Sequence, residues 1–317
     1  MRRKLILDVD TGTDDAVAIM LAALHPALDL VACTTVNGNV ELEYCTDNTL
    51  RVLDLVGRAD IPVYEGLARP LARHDFPKPR RKGDLLEKIH GKALPLPETS
   101  LRKADRGAVE FLIETYRAAT EEITLVPVAP LTNIAAALAL DPKFVERVPE
   151  VMLMGGGHEI SNVTPAAEFN IWADPEAAAM VFSAGFRKIT MVPLDATHRA
   201  LVTEEDCARL EKLGRAGEAA ALLVRHRIGV HDRIQRMSVR TSAPVHDALC
   251  VAFLIDPSLM KTRHVHVAVE THGRHTIGRT VIDMQARGDD APNCHVAYDP
   301  DAHRFHELLS EAFARGP

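Results

Sequence analysis

The chain has 317 residues, of which 47% are apolar and 26% charged, and its net charge at pH 7 is −7. This composition is ordinary for a soluble globular protein. The acidic balance argues against a protein that coats nucleic acid, because phosphate binding needs a clustered basic surface. The longest apolar run, AVAIMLAAL, falls short of the roughly 20 residues that a membrane-spanning helix needs, so we expect no membrane partner.

The cysteines and the amino terminus indicate a compartment. The five cysteines are odd in number, widely spaced and without a CxxC pair, which is typical of reduced thiols in a cytosolic protein. The apolar stretch in MRRKLILDVD is too short for a signal peptide. We therefore expect a cytoplasmic protein.

Strand-like and helix-like segments alternate along the chain. KLILDVD precedes the helical DDAVAIMLAALHP, LDLVACTTVNGN precedes VELEYCTDNTLRVLDLVG, and ITLVPVAP precedes LTNIAAALALDP. Short apolar strands between helices predict an α/β fold, with a mainly parallel central sheet flanked by helices. No repeat or shift in composition marks a second domain, so we expect residues 1–317 to form one domain.

Three segments depart from this alternation. Residues 68–106 are rich in proline and charge, which predicts a lid or a disordered loop, and KPRRK at 78–82 reads as a solvated loop. Residues 215–240 are basic and predicted to be helical. The segment 263–299 alternates like antiparallel strands, and the helical DAHRFHELLSEAFAR follows it.

Four aspartates, Asp8, Asp10, Asp14 and Asp15, fall within eight residues after the first apolar run. Asp14 and Asp15 alone suit the first turn of a helix capped by Thr13, where the helix dipole favours negative charge. That explanation leaves out Asp10 at the end of the strand. Three carboxylates that converge at one strand-helix junction need a cation, and oxygen ligands favour Ca²⁺ or Mg²⁺ over zinc.

A short motif in the same stretch supports an alternative function. LILDVDTG matches the DxDxT pattern of the haloacid-dehalogenase-like Mg²⁺ phosphatases, with Asp8 as nucleophile and Asp10 as general acid and base. Those enzymes also need a second acidic pair beside the metal. The pair in RGDDAPN, near residue 289, is the candidate for it.

Five stretches, taken in order over residues 5–257, resemble the inosine-uridine-preferring nucleoside hydrolases. They are DVDTGTDDA, VNGNV, LVPVAPLTNIAAAL, MGGGHEISNVTPAAEFNIWADPEAA and PVHDALCVAF. The resemblance implies a Rossmann-like core, a small antiparallel carboxyl-terminal part, and a homodimer or homotetramer. It also implies hydrolysis of the N-glycosidic bond of ribonucleosides to free base and ribose.

The resemblance further implies a Ca²⁺ ion held by Asp10, Asp15, Asp247 and the main-chain carbonyl of Val128. Family members usually have Thr at the position of Val128 and Gly at that of Ala129. A carbonyl ligand does not depend on its own side chain, so the implied ligand set is kept.

Asp14 is expected to be the general base, because it lies next to a metal ligand without being needed by the metal. A water that loses its proton to Asp14 would attack C1′ as the bond to the base breaks. The transition state resembles an oxocarbenium ion, which nearby carboxylates stabilise. Direct attack by water would invert the anomeric centre.

The same resemblance implies the contacts to the substrate. Asn39 and Asn170, with Asp14 and Asp247, would bind the 2′- and 3′-hydroxyls, Asn162 and Glu168 would bind the 5′-hydroxyl, and Phe169 would pack beside the sugar. His246 would donate a proton to the leaving base. His90 resembles a loop histidine that approaches the base, although a solvated loop histidine is an equal alternative.

The preference for purine or pyrimidine bases stays open. Pyrimidine-preferring members have tyrosines on the helix before the HD motif, whereas this chain has Arg227, His231 and Arg233 there. A protein that binds nucleosides or ribose without catalysis is a further alternative. Such a protein is expected to lack a base or a metal ligand, yet the four acids Asp10, Asp14, Asp15 and Asp247 are all present.

Overall fold

The computed structural model describes residues 2–78 and 85–317, without the side chains of residues 85–87. Of the basic stretch 78–82, all but Lys78 lies outside the described residues. The strands are β1 (Arg3–Val9), β2 (Leu28–Thr35), β3 (Val63–Glu65), β4 (Ile123–Pro127), β5 (Val151–Met154), β6 (Ile189–Val192), β7 (Leu201–Thr203), β8 (Ser242–Pro244), β9 (Lys261–Val265), β10 (Val267–Val269), β11 (Thr280–Ile282) and β12 (Cys294–Tyr298).

Helices connect and cover these strands. They are α1 (Thr13–Leu24), α2 (Leu42–Leu55), α3 (Leu85–His90), α4 (Ala108–Ala118), α5 (Thr132–Leu140), α6 (Phe144–Arg147), α7 (Phe169–Ala173), α8 (Pro175–Ser183), α9 (Leu194–Thr197), α10 (Glu204–Leu210), α11 (Gly214–Ile234), α12 (His246–Ile255) and α13 (Ala302–Phe313). The basic helix α11 therefore ends before position 240, where the sequence pattern placed its end.

Within the described residues, one eight-stranded sheet has the order β3-β2-β1-β4-β5-β6-β12-β9. All neighbouring pairs are parallel except β12 with β9. This confirms the predicted α/β fold with a mainly parallel central sheet. The predicted antiparallel part is present in the pairs β9-β12 and β10-β11.

The central strands are buried on both faces, and most of their buried residues are apolar. On β1, Leu5 and Leu7 pack into the cluster that contains the apolar sides of α1, α11, α12 and α13. Ile6 points to the opposite cluster, which is formed with α4, α5 and α8. This double coverage is the reason that a parallel strand reads as a continuous apolar run.

The strand order reverses between β1 and β4, since the chain proceeds outwards from β1 in one direction and from β4 in the other. In open α/β sheets a crevice forms at such a switch point, outside the carboxyl ends of the strands. Asp10 follows β1 and Val128 follows β4 directly. The fold therefore brings both predicted ligand positions to the crevice.

Two further expectations concern single features. The five cysteines are buried and unpaired, in agreement with the predicted reduced thiols. Among the helices in the described parts of the chain, none combines the length and the apolar character needed to cross a membrane.

Candidate active site

A cavity of about 450 Å³ opens at the switch point. Most of the residues that the sequence pointed to line it: Asp14, Asn39, His90, Val128, Asn162, Glu168, Phe169, Asn170, His246 and Asp247. Asp10 and Asp15 are fully buried beside it. A pocket of this size, apolar with a few convergent polar groups, suits a small ligand.

The turn between β1 and α1 places the amino-terminal acids. Gly12 occupies the cap position, so the prediction that Thr13 caps the helix is wrong, and Thr13 is the first helical residue. Asp14 and Asp15 lie in the first turn as expected. The Asp15 carboxylate accepts hydrogen bonds from the backbone N–H of Asp10 at 3.2 Å and of Gly12 at 3.0 Å, which fold the turn back on itself.

Carboxylate oxygens of Asp14, Asp15 and Asp247 lie within 4.8 Å of one another. Asp10 stands outside this group, and its Oδ2 accepts a 2.6 Å hydrogen bond from the backbone N–H of Asn39. The other oxygen of Asp10, Oδ1, is buried without a hydrogen-bond partner among the described residues. A buried carboxylate oxygen without a partner is costly unless a cation compensates for it.

The electrostatics of the cluster lead to the same conclusion. Burial, followed by the charge of neighbouring aspartates, raises the pKa of Asp15 to about 7 and that of Asp10 and Asp247 well above the usual value. These acids therefore resist ionisation as they stand. A hard divalent cation, for which oxygen is the preferred ligand, would relieve that repulsion, so the donor set fits such an ion.

Asn170 lies between two strand ends. Its Nδ2 donates to the main-chain oxygen of Val128 at 3.0 Å and to that of Met154 at 3.1 Å. A carbonyl oxygen has two lone pairs, so this bond leaves Val128 one further site. Asn39 acts similarly on the acidic cluster, since its Nδ2 donates to Asp15 Oδ2 at 3.1 Å.

Glu168 caps helix α7 and is buried. Its carboxylate accepts hydrogen bonds from the backbone N–H groups of Gly156, Asn170 and Ile171 at 2.9, 2.8 and 3.2 Å. Burial nevertheless raises its pKa to about 7. Asn162 Oδ1 accepts from the backbone N–H of Phe169 at 2.9 Å, which ties the loop before α7 to the same wall.

The two predicted histidines are both buried. His246 contacts the hydroxyl of Thr197 through Nδ1 at 2.7 Å, and burial, followed by the charge of Arg227, lowers its pKa well below the usual value. His90 ends helix α3, where its Nδ1 accepts from the backbone N–H of Thr13 at 3.2 Å. A solvated loop histidine does not describe His90, because it is buried in the cavity wall.

Several cavity residues were missed. Arg227 and His231, noted only as a departure from the pyrimidine pattern, line the cavity with Gln235, Phe76 and Trp172. Arg227 and His231 lie four residues apart on α11, and Gln235 follows at the same spacing just after its end, so helical spacing could have placed them on one face. Phe76 lies in the segment expected to be a lid or disordered, and it packs edge-on against Phe169 with ring centroids 5.9 Å apart.

Asp8, the nucleophile of the alternative phosphatase reading, is fully buried and does not line the cavity. Its Oδ1 accepts hydrogen bonds from Thr34 Oγ1 at 2.5 Å and Asn133 Nδ2 at 2.7 Å. Asp8 therefore joins β1, β2 and α5 within the core.

Comparison with known proteins identifies the family. The model of the inosine-uridine preferring nucleoside hydrolase family matches residues 5–307. The pyrimidine-specific ribonucleoside hydrolase RihA of Photobacterium profundum is 38% identical over 99% of both chains. Among solved structures, the plant nucleoside hydrolase PpNRh1 has a TM-score of 0.89, 32% identity and full coverage of both chains. The purine-preferring ribonucleoside hydrolase of Gardnerella vaginalis has a TM-score of 0.88 and 31% identity, with 98% of both chains covered.

With these matches, the α/β fold and the acidic crevice at its switch point belong to a hydrolase of the N-glycosidase type. The chain belongs to the inosine-uridine preferring nucleoside hydrolase family. It is a ribonucleoside hydrolase, and the family is metal-dependent. This sets aside both the phosphatase and the non-catalytic binding protein.

Proposed function

We propose that the protein hydrolyses ribonucleosides with Ca²⁺, which Asp10, Asp15, Asp247 and the carbonyl of Val128 would hold. The observation that carries this proposal is the convergence of buried carboxylates in the crevice. Oxygens of Asp14, Asp15 and Asp247 lie within 4.8 Å of one another, and Asp10 Oδ1 is buried without a hydrogen-bond partner among the described residues. The bound cation would neutralise these acids and make a neighbouring water easier to deprotonate.

Asp14 acts in this proposal as the general base. It lines the cavity and stands beside Asp15 and Asp247. A carboxylate within hydrogen-bond reach of the water can accept its proton while the oxygen forms a bond to C1′. The remaining carboxylates stabilise the positive charge that develops on the sugar.

The walls of the cavity are proposed to bind the rest of the substrate. The 2′- and 3′-hydroxyls form hydrogen bonds with Asn39, Asn170 and Asp247. The 5′-hydroxyl is bound by Asn162 and Glu168, and Phe169 packs against the sugar. Near the base, His246 supplies an N–H to the atom that gains charge as the glycosidic bond breaks. His90 contacts the base from the opposite helix.

A substrate panel tests the reaction and the base preference together. Inosine, adenosine, guanosine, uridine and cytidine are assayed for reducing sugar in the calcium-loaded enzyme and after dialysis against chelator. We expect turnover that chelation abolishes and Ca²⁺ restores better than Mg²⁺. Full turnover after the metal has been removed would contradict the proposal. Relatives named for pyrimidines and for purines both match the chain from end to end, so both classes belong in the panel.

Asp14→Asn tests the base itself. The variant should bind substrate and Ca²⁺ but lose at least about 100-fold in kcat, which is the usual contribution of a positioned proton acceptor. Asp60→Asn, a change at an exposed carboxylate paired with Arg58, is the matched control and should turn over normally. Normal turnover by Asp14→Asn would remove Asp14 as the base.

We further propose one domain, a cytoplasmic location and a homodimer or homotetramer. The central sheet supports the single domain, because it contains strands from β1 near the amino terminus to β12 near the carboxyl terminus. The family implies the oligomer. Light scattering of the purified protein would contradict it by giving the mass of one 34.7 kDa chain.

A further inference from the structure

Arg227 is a buried arginine that touches the proposed general base. It lies on helix α11 and is 2% exposed. Its Nη1 donates to Asp14 Oδ1 at 2.8 Å and to Thr13 Oγ1 at 3.1 Å, and its Nε donates to the main-chain oxygen of Pro244 at 3.1 Å. One side chain thus joins the first turn of α1 to the segment that leads into His246.

The contact with Asp14 involves only one carboxylate oxygen. Asp14 Oδ1 receives the guanidinium, whereas Oδ2 has no hydrogen-bond partner among the described residues. Oδ2 is also absent from the fully enclosed unpartnered atoms in that part of the chain, and Asp14 lines the cavity. The arrangement fixes the carboxylate by one oxygen and leaves the other open to the cavity.

We propose that Arg227 is a positioning residue for catalysis, which holds Asp14 in the orientation that presents Oδ2 to the attacking water. The inference rests on the proposed function, since it takes Asp14 as the general base. A carboxylate has two rotatable bonds in its side chain, and a base that is turned away from the water loses rate steeply.

The cost of burying Arg227 supports a role beyond packing. Removing a charge from water costs several kcal/mol, and well-packed apolar residues often replace a buried ion pair without loss of stability. Here the guanidinium bonds one carboxylate oxygen of Asp14 and leaves the other open to the cavity.

Arg225 offers a matched comparison on the same helix. Its side chain is 31% exposed and forms ion pairs with Glu204 at 2.7 Å and Glu211 at 3.0 Å, away from the cavity. Ion pairs of that kind contribute little to stability. Arg225→Met therefore removes an arginine and two ion pairs from α11 without reaching the proposed base.

The test compares kcat and KM of Arg227→Met, Arg227→Lys and Arg225→Met in the calcium-loaded enzyme. We expect Arg227→Met to lose about 100-fold in kcat with KM changed less than about threefold, because substrate contacts stay and the base is misaligned. Arg227→Lys should retain part of the rate, since an ammonium keeps the charge but not the fork of donors. Arg225→Met should match the wild type.

A second readout separates positioning from structural damage. In Arg227→Ala, millimolar guanidinium should restore part of kcat in a saturable manner, because the ion can occupy the space next to Asp14. Wild-type kcat in a folded Arg227→Met would overturn the proposal. So would a loss of kcat that is accompanied by a loss of thermal stability and is not rescued by guanidinium. If Arg227→Met does not fold, the comparison of Arg227→Lys with the wild type decides.

The Asp14→Asn background distinguishes this proposal from the one on which it rests. Adding Arg227→Met to Asp14→Asn should cost no further rate, since the arginine would have no base left to orient. If Asp14→Asn alone turns over normally, the proposed general base fails. If Asp14→Asn is inactive but Arg227→Met is not impaired, the base stands and the positioning role of Arg227 is refuted.

Discussion

At the scale of single residues, the cavity contains acids and bases whose protonation is set by burial. Glu168 is fully buried, and its pKa is raised to about 7 although backbone N–H groups point at its carboxylate. His246 is held in the neutral form by the same desolvation. The site therefore keeps in their neutral forms groups that would ionise readily in water.

Glu168→Gln should change how stability depends on pH. The folded enzyme keeps Glu168 protonated up to about pH 7, while the unfolded chain releases that proton near pH 4.5. The contribution of protonated Glu168 to the free energy of unfolding is thus fully present below pH 4.5 and is lost as the pH rises to about 7. It amounts to about 3 kcal/mol at most. Urea unfolding of both proteins at several pH values measures the difference in stability.

The wild type should lose stability relative to Glu168→Gln as the pH rises through that window. Glu98→Gln, at an exposed position, is the control and should follow the wild type at every pH. Parallel curves for the wild type and Glu168→Gln would show that Glu168 ionises normally in the folded state.

His246→Ala should discriminate between leaving groups. A nucleobase departs poorly as an anion, so loss of the N–H that His246 supplies should cost about 100-fold in kcat on nucleosides. p-Nitrophenyl riboside has a leaving group that needs no proton and should lose far less. Equal losses on the two kinds of substrate would indicate that His246 acts only through the packing around Thr197.

At the scale of elements, close backbone approach fixes the acids. The loop after β2 passes directly over Asp10, and a Cβ on Gly38 would lie 1.9 Å from Asp10 Oδ2. Asn39, the next residue, donates its backbone N–H to the same oxygen. The loop therefore holds one face of the acidic cluster, and glycine is required where it comes closest.

Gly38→Ala should displace Asp10 and weaken calcium binding by tenfold or more, about 1.4 kcal/mol. Calorimetric titration of the chelated protein with Ca²⁺ measures this without relying on activity. Gly229→Ala is the control, because a Cβ there meets only the Arg233 side chain at 4.0 Å. Unchanged calcium affinity in Gly38→Ala would mean that Asp10 is not a ligand.

The described part of the proline-rich segment contributes Phe76 to the cavity wall. Phe76 is 4% exposed and packs against both Phe169 and Trp172. Phe76→Ala should raise KM several-fold more than it lowers kcat, because it loosens the wall beside the sugar and leaves the acids in place. Phe186→Ala, in the core on the other face of the sheet, should lower stability without raising KM.

At the scale of the whole molecule, the alternation of apolar strands and helices was enough to predict the sheet, and the parallel topology then brings Asp10 and Val128 to one edge. The sequence motifs that follow β1 and β8 were likewise enough to predict the acidic residues of the site. Particular side-chain contacts between distant segments were not predictable. Arg227 and Asp14 are 213 residues apart in the sequence, and no local pattern indicates with which carboxylate a buried arginine forms an ion pair. Phe76 was missed because its surroundings have the composition of a loop.

The repulsion within the acidic cluster should make the stability of the whole fold depend on calcium. Asp247 is more than 230 residues away in the chain from Asp10 and Asp15, and burial beside one another raises the pKa of each. A cation that binds only the folded protein stabilises it by about 2.7 kcal/mol at 100 times its Kd. For a chain of this length that corresponds to a rise in Tm of about 4 °C.

Thermal unfolding at pH 7 with chelator, Ca²⁺ or Mg²⁺ measures this effect without a substrate. We expect Tm to rise with Ca²⁺ concentration, to rise less with Mg²⁺, and to return to its starting value when chelator is added. Asp10→Asn should respond more weakly to Ca²⁺, while Asp60→Asn should respond as the wild type does. A Tm that neither ion changes would mean that the buried carboxylates keep their protons instead of binding a metal. That result would contradict the calcium-dependent mechanism.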